Sequence, residues 1–251
     1  MNINRLIMIS LFLMIPLKAI AQGEEYQAWK KQVLTEIYTA SLDENGTMTF
    51  AYRTFSPEVR NLMNKRIQES NGFVSKSISD SALWYIRGWL GGFKQGFYYD
   101  DLQKEGRPYN RYAPENQALV QEYQSYYRKA LDLDESVDAA THLTADMLST
   151  MADDVLAAPD VKERAYRKAI ALAQAGKANI PNETYEYTTY LFLLESYSNQ
   201  KNPDKYLATL NEMIDRFGSN EELESYKIKV EIVIEKRYRK AALEASKVVA
   251  K

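Results

Sequence analysis

Apolar residues recur three and four positions apart along almost the whole chain, and that spacing predicts helices rather than strands. In SPEVRNLMNKRIQESNG, Val59, Leu62, Met63 and Ile67 fall on one side of a helix, with Ser56 as N-cap, Pro57 at the first helical position and Gly72 as terminator. NPDKYLATLNEMIDRFG repeats the grammar: Asn202 caps, Pro203 opens, Tyr206, Leu210, Met213 and Phe217 share a face, and Gly218 stops the helix. The closing segment carries two periods at once. Ile228, Val230, Ile232 and Ile234 alternate as a strand would, whereas Leu223, Tyr226, Val230 and Val233 keep helical spacing. Helical flanks on both sides favour a long closing helix, with a strand over 226–234 as the alternative.

From about Ala113 onward the helices are expected in antiparallel pairs joined by short turns. Three of them open on proline followed by an acid, Pro114-Glu115, Pro159-Asp160 and Pro203-Asp204, at spacings of 45 and 44 residues. Proline at the first position loses no helical hydrogen bond, and an acid in the first turn meets the positive end of the helix dipole. Between these openings, SVDAATHLTADMLSTMADDVL and NETYEYTTYLFLLESYSNQ each leave room for one helix of about four or five turns. The phrase YRKA occurs at Tyr127, Tyr166 and Tyr238. The first two copies extend to Y-R-K-A-[LI]-x-L and put Ala130 and Ala169 where two helices can approach closely; the third has no matching proline and reads as chance.

At these residues, roughly 114–217, the chain resembles tetratricopeptide repeats, which place small residues at helix crossings and end their second helix with a phrase like YRKALDLD, as Tyr127 to Asp134 reads. It departs from that family in lacking Trp-x-x-Leu-Gly-x-x-Tyr, in having no closing proline, and in a period longer than the family's roughly 34 residues. The resemblance implies an all-α fold of antiparallel helix hairpins stacked as a tetratricopeptide-like α-solenoid, and a protein-binding role. The expected divisions are 1–21, a signal peptide; 22–112, an aromatic-rich helical region; and 113–251, the repeat region with its closing helix.

MNINRLIMISLFLMIPLKAIAQ has a short basic start at Arg5, a 12-residue apolar run from Leu6 to Leu17, and the Ala19-Ile20-Ala21 pattern of a secretory signal cut before Gln22. The run is shorter than the ~20 residues a membrane span needs, so no stable anchor is expected after cleavage. The signal resembles those of Gram-negative, Bacteroidetes-type exported proteins, which places the mature protein in the periplasm, with secretion beyond it as the alternative. The absence of cysteine excludes a lipoprotein and a disulfide framework. Cleavage leaves 30 basic and 34 acidic side chains, a net −4, and no electrostatic reason to expect nucleic acid or anionic lipid as partner.

The least generic stretch is DSALWYIRGWLGGFKQGFYYDDLQKEGRPYNRY, residues 80–112. Leu83, Ile86, Leu90, Phe93 and Phe97 form one helical face, and Gly88, Gly92 and Gly96 form another, where close helix packing is the simpler account. Most of the rings are expected to fill core. Those that do not would stack on a glycan or grip a peptide, and the candidate binding residues are Trp84, Trp89, Arg107, Tyr109, Arg111 and Tyr112. Asp80-Ser81-Ala82 resembles a Bacteroidetes O-glycosylation acceptor, although a helix N-cap explains the same residues more simply.

Catalytic machinery is hard to assemble. His142 is the only histidine, which removes Cys-His catalysis and multi-histidine metal sites. The pairs Asp100-Asp101 and Asp153-Asp154 lack the spaced oxygen ligands of a calcium loop and are expected to be solvated helix ends. GWLGGFKQG lacks the Gly-Lys-Ser/Thr ending and the preceding strand of a phosphate loop. The expectation is therefore a non-catalytic, cofactor-free scaffold of the cell envelope that binds another envelope protein, with a glycan- or peptide-binding module over 84–112 as the alternative.

Overall fold

Proline followed by an acid opens every second helix. A computed structural model of the chain describes residues 23–41, 54–74, 79–136, 143–154, 156–177 and 182–249, which form nine helices and no strand. These are α1 (23–41), α2 (Pro57–Val74), α3 (Ser81–Lys104), α4 (Pro114–Ser136), α5 (Ala145–Asp153), α6 (Pro159–Gln174), α7 (Asn182–Asn199), α8 (Pro203–Phe217) and α9 (Glu221–Val249). Pro57-Glu58 thus joins the three Pro-acid openings seen in the sequence. Local capping sets the starts: Ser56 Oγ accepts from Val59 N, Thr144 Oγ1 from Met147 N and Asn202 Oδ1 from Lys205 N. The signal segment and His142 lie outside the described residues. No helix among the described residues is long and apolar enough to cross a membrane.

Two boundaries differ from expectation. Gly72 does not end α2, which runs on to Val74, because a glycine in a helix interior costs only about 1 kcal/mol and packing of Phe73 against Tyr26 and Trp29 outweighs it. α5 has nine residues, about half the expected length, because Thr144 caps it late and Asp154 ends it by accepting from Leu156 N. The closing segment is helix throughout. Its strand-like alternation arises because two faces of one helix are apolar, Ile228 and Ile232 on one and Val230 and Ile234 on the other.

The chain divides into two compact units between residues 138 and 139, so α4, grouped with the repeats on sequence, belongs with the aromatic helix. In the first unit each helix lies antiparallel on the next. Arg66 ties α2 to α1 through Glu36, from Nε at 2.6 Å and Nη2 at 2.7 Å, while its Nη1 reaches Glu69. Arg60 ties α2 to the far end of α3 through Asp100. α3 and α4 make the closest pair in this unit, because glycine removes the side chain that would hold them apart. A methyl at Gly88 would overlap the Tyr127 ring, and one at Gly91 would overlap Tyr123 Cβ with its Cα at 3.3 Å. The stripe that matters is therefore Gly88 and Gly91, three apart. Gly92 has open space where a Cβ would stand, so the expected four-residue stripe is corrected.

In the second unit α5, α6, α7, α8 and α9 pack in chain order. Antiparallel neighbours are joined by pairs that mirror about each turn: Tyr166 with Asp153, Gln174 with Glu186, Arg216 with Glu186, and Arg237 with Asp204. Helices two apart are also bridged. Lys205 Nζ donates to Glu163 at 2.6 Å and Arg167 Nη2 to Thr209 at 2.8 Å, both across 42 residues, so α6 and α8 run parallel in register. The first two YRKA copies bury their tyrosine and alanine, Tyr127, Ala130, Tyr166 and Ala169, whereas Tyr238 of the third is 64% exposed.

Candidate functional site

The six candidate binding residues are not brought together. α3 is flanked by α2 and α4, so its aromatic side chains are covered on two sides, and Trp84 and Trp89 stay only 6% and 4% exposed. Lys129 Nζ sits 3.8 Å from the centre of the Trp84 ring, with Arg87 on its other neighbour Tyr126. Tyr109 is half-buried and braces the α3–α4 connection: its hydroxyl accepts from Gln95 Nε2 and Asn116 Nδ2, each at 3.1 Å, and its ring meets Tyr99 edge-on. Arg107 is exposed and paired with Glu105. Arg111 lies over the ring of Tyr112, which is 73% exposed. Most of the aromatic segment's rings are thus core, and Arg107, Arg111 and Tyr112 stand on an exposed connection.

Asp80 is the N-cap of α3, accepting from Ala82 N at 2.8 Å and from Tyr26 and Lys30 of α1. Ser81 is fully buried, 3.5 Å from Asp134, so its hydroxyl is closed to glycosylation and the capping account stands. Asp100 is not a solvated helix end. Its side chain is 1% exposed and accepts from Arg60, Lys104 and the Phe55 N–H. Burial opposes ionisation there, and these donors outweigh it, so the carboxyl titrates below its ordinary range. Asp101 meets the same guanidinium from the solvent side.

Two clefts lie in the second unit. One cleft, about 460 Å³, opens between α5, α6 and α7 and is lined by Asp153, Lys162, Tyr166, Phe192 and Glu195. Tyr166 Oη donates to Asp153 at 2.8 Å and Lys162 Nζ donates to the Ala152 carbonyl at 2.8 Å. Loss of water around these groups disfavours every charged form: it pushes the Asp153 carboxyl and the Tyr166 phenol up and the Lys162 ammonium down. A raised carboxyl favours folding while it holds its proton. Its contribution is present in full below the unfolded aspartate value of about 3.9 and is lost as pH rises through the raised folded value. Asp153→Asn cannot ionise, so its stability relative to wild type is expected to improve between pH 4 and pH 7 in urea melts followed by circular dichroism. A pH-independent difference would show that Asp153 is not so perturbed.

The other cleft, about 430 Å³, lies between the end of α7, the start of α8 and the middle of α9. Tyr197, Pro203, Tyr206, Tyr226, Val230 and Val233 make its walls, and Lys201, Lys229 and Arg237 stand among them. Sequence reasoning missed this place. Its one signal was the Tyr226, Val230, Val233 stripe, which served only to mark a helix because the facing residues at 201–206 belong to another helix and the turn before it.

Among the described residues no group of three or more histidines, aspartates or glutamates is placed to hold a metal ion. No protein-family model, curated protein or solved structure matches the chain.

Proposed function

We propose that the chain is an exported, non-catalytic scaffold of the periplasm whose second unit is a short stack of tetratricopeptide-like helix hairpins holding another envelope protein. The observation that carries this reading is the parallel bridging of α6 and α8 at a constant 42-residue step. Such a step supports a reading in which one hairpin copies the placement of the one before, as in repeat proteins whose units contact only their neighbours. A stack of this kind has a final helix with one side uncovered. α9 packs on α8 and turns Ile228, Ile232 and Leu243 outward, 56%, 45% and 62% exposed. Single apolar residues on a surface need no explanation, but three on one helix face support an interaction surface.

The test is capture from envelope extract by the tagged protein starting at Gln22. A protein partner is expected to be retained by wild type and by a Tyr112→Ala variant, and weakened about tenfold or more by Ile228→Glu with Ile232→Glu. These three positions are exposed, so the variants should keep the wild-type helix signal. Recovery of glycan that is lost with Arg107→Ala, Arg111→Ala and Tyr112→Ala would instead establish the alternative partner at the α3–α4 connection.

A further inference from the structure

Three of the described helices end in the same turn, and one of them uses an expensive residue. α3 closes at Gly106 with φ 67° and α6 at Gly176 with φ 70°, and in each the next N–H returns to a carbonyl five residues back: Arg107 to Leu102 at 2.8 Å and Lys177 to Leu172 at 2.9 Å. α7 closes identically, Asn202 N to Tyr197 O at 2.9 Å, but the left-handed position is held by Lys201, with φ 53°. Glycine takes that conformation without strain and a side chain does not. Nothing in the turn needs a side chain, so the lysine calls for a reason outside it. Strain of this kind recurs where a side chain has a task.

That task is visible in what Lys201 stands beside. It lines the apolar cleft of α7, α8 and α9 together with Lys229 and Arg237, and no carboxylate lines it. Arg237 leans on Asp204 at 3.1 Å outside the cleft, whereas Lys201 and Lys229 have no ion pair among the described residues; Lys229 lies 5.7 Å from the Tyr226 ring. Lys205, which could have added a fourth charge, is taken up by Glu163. The chain as a whole is acidic, −2, so three cations at one apolar cleft run against the average. An apolar recess of a few hundred cubic ångströms with cationic side chains in its lining matches a small ligand better than a protein surface, which needs a far larger area.

We propose that this cleft binds a small amphipathic anion, an alkyl carboxylate whose chain lies among Tyr206, Tyr226 and Val233 and whose head group meets the unpaired Lys201 and Lys229 at its rim. The site is separate from the outward face of α9, so it stands or falls independently of the scaffold reading.

The probes are decanoate, decyltrimethylammonium and a glutamate-rich peptide, titrated calorimetrically into the full mature protein. Decanoate is expected to bind one to one, and the ammonium of equal chain length about tenfold more weakly, because Lys201 and Lys229 reject it. Val233→Glu, at a position 53% exposed, is expected to abolish binding without changing the circular dichroism. Lys201→Gly is the sharper variant. It should raise the melting temperature by relieving the left-handed lysine and at the same time weaken decanoate about three- to fivefold, the size of one exposed charge contact. A lysine with a purely structural role would leave decanoate affinity unchanged. Equal binding of the two chains, no decanoate binding at millimolar concentration, an unaffected Lys201→Gly, or tighter binding of the acidic peptide would each overturn the proposal.

Discussion

Gly91→Ala is expected to destabilise the first unit by about 1–3 kcal/mol, with Gly92→Ala beside it gaining about 0.5–1 kcal/mol. The two residues are neighbours on one helix, so intrinsic helix propensity favours alanine equally at both. What separates them is the facing chain. A methyl at Gly91 runs into Tyr123 Cβ and stands 3.3 Å from its Cα, atoms that cannot turn aside, whereas a methyl at Gly92 meets nothing within 4 Å. α4 must therefore move away from α3, and the buried ring of Tyr127 loses its stacking on Tyr85. All three tryptophans, Trp29, Trp84 and Trp89, belong to this unit, so urea denaturation followed by tryptophan fluorescence reads it selectively. A Gly91→Ala protein as stable as wild type would mean that α3 and α4 are not in this close contact.

Asp100→Ala is expected to cost about 3 kcal/mol or more at pH 7, the size seen when one partner of a buried ion pair is removed. The loss has three parts. Arg60 keeps its charge at a position only 20% exposed, Lys104 loses its anchor, and the Phe55 N–H loses its acceptor. The pH dependence has a definite sign. Because its folded value lies below the unfolded one, Asp100 stabilises the protein above the ordinary carboxyl range and ceases to do so as pH falls through the folded value. Wild type and Asp100→Ala should thus converge in stability as pH is lowered toward 3. Glu36, held down chiefly by its hydrogen bond from Arg66, weakens in the same direction, which makes acid an agent against the first unit. Fluorescence melts at pH 7 and pH 3.5 measure this, and a constant difference between the two proteins would refute it.

Much of this molecule was legible residue by residue. Pro114, Pro159 and Pro203 each sit at the start of a helix, Gly218 with φ 84° ends α8, and the long closing segment is helical. The aromatic stretch was legible as an anomaly and only half legible as a role. Phe93 and Phe97 fall on the buried face as their spacing demands, but the two tryptophans offered as ligand contacts are buried with them. Asp100 looked like a solvated helix end because its neighbour Asp101 is one. Arg60 reaches both, and what distinguishes them is burial, with the Phe55 N–H and Lys104 reaching Asp100.

What the sequence alone determined is where most of the described helices begin and that their period is helical, because caps, prolines, first-turn acids and the 3.6-residue repeat act within one or two turns of chain. The tertiary structure alone decided which glycine touches a neighbouring helix, which aspartate is buried, and that Lys201, Lys229 and Arg237 share one apolar cleft. Those outcomes turn on contacts between side chains some 30 to 45 residues apart, as in the bridges from Arg60 to Asp100 and from Arg167 to Thr209. Local free energies carry no record of which distant face arrives, since burial and ion pairing gain their strength only when the partner has excluded the water.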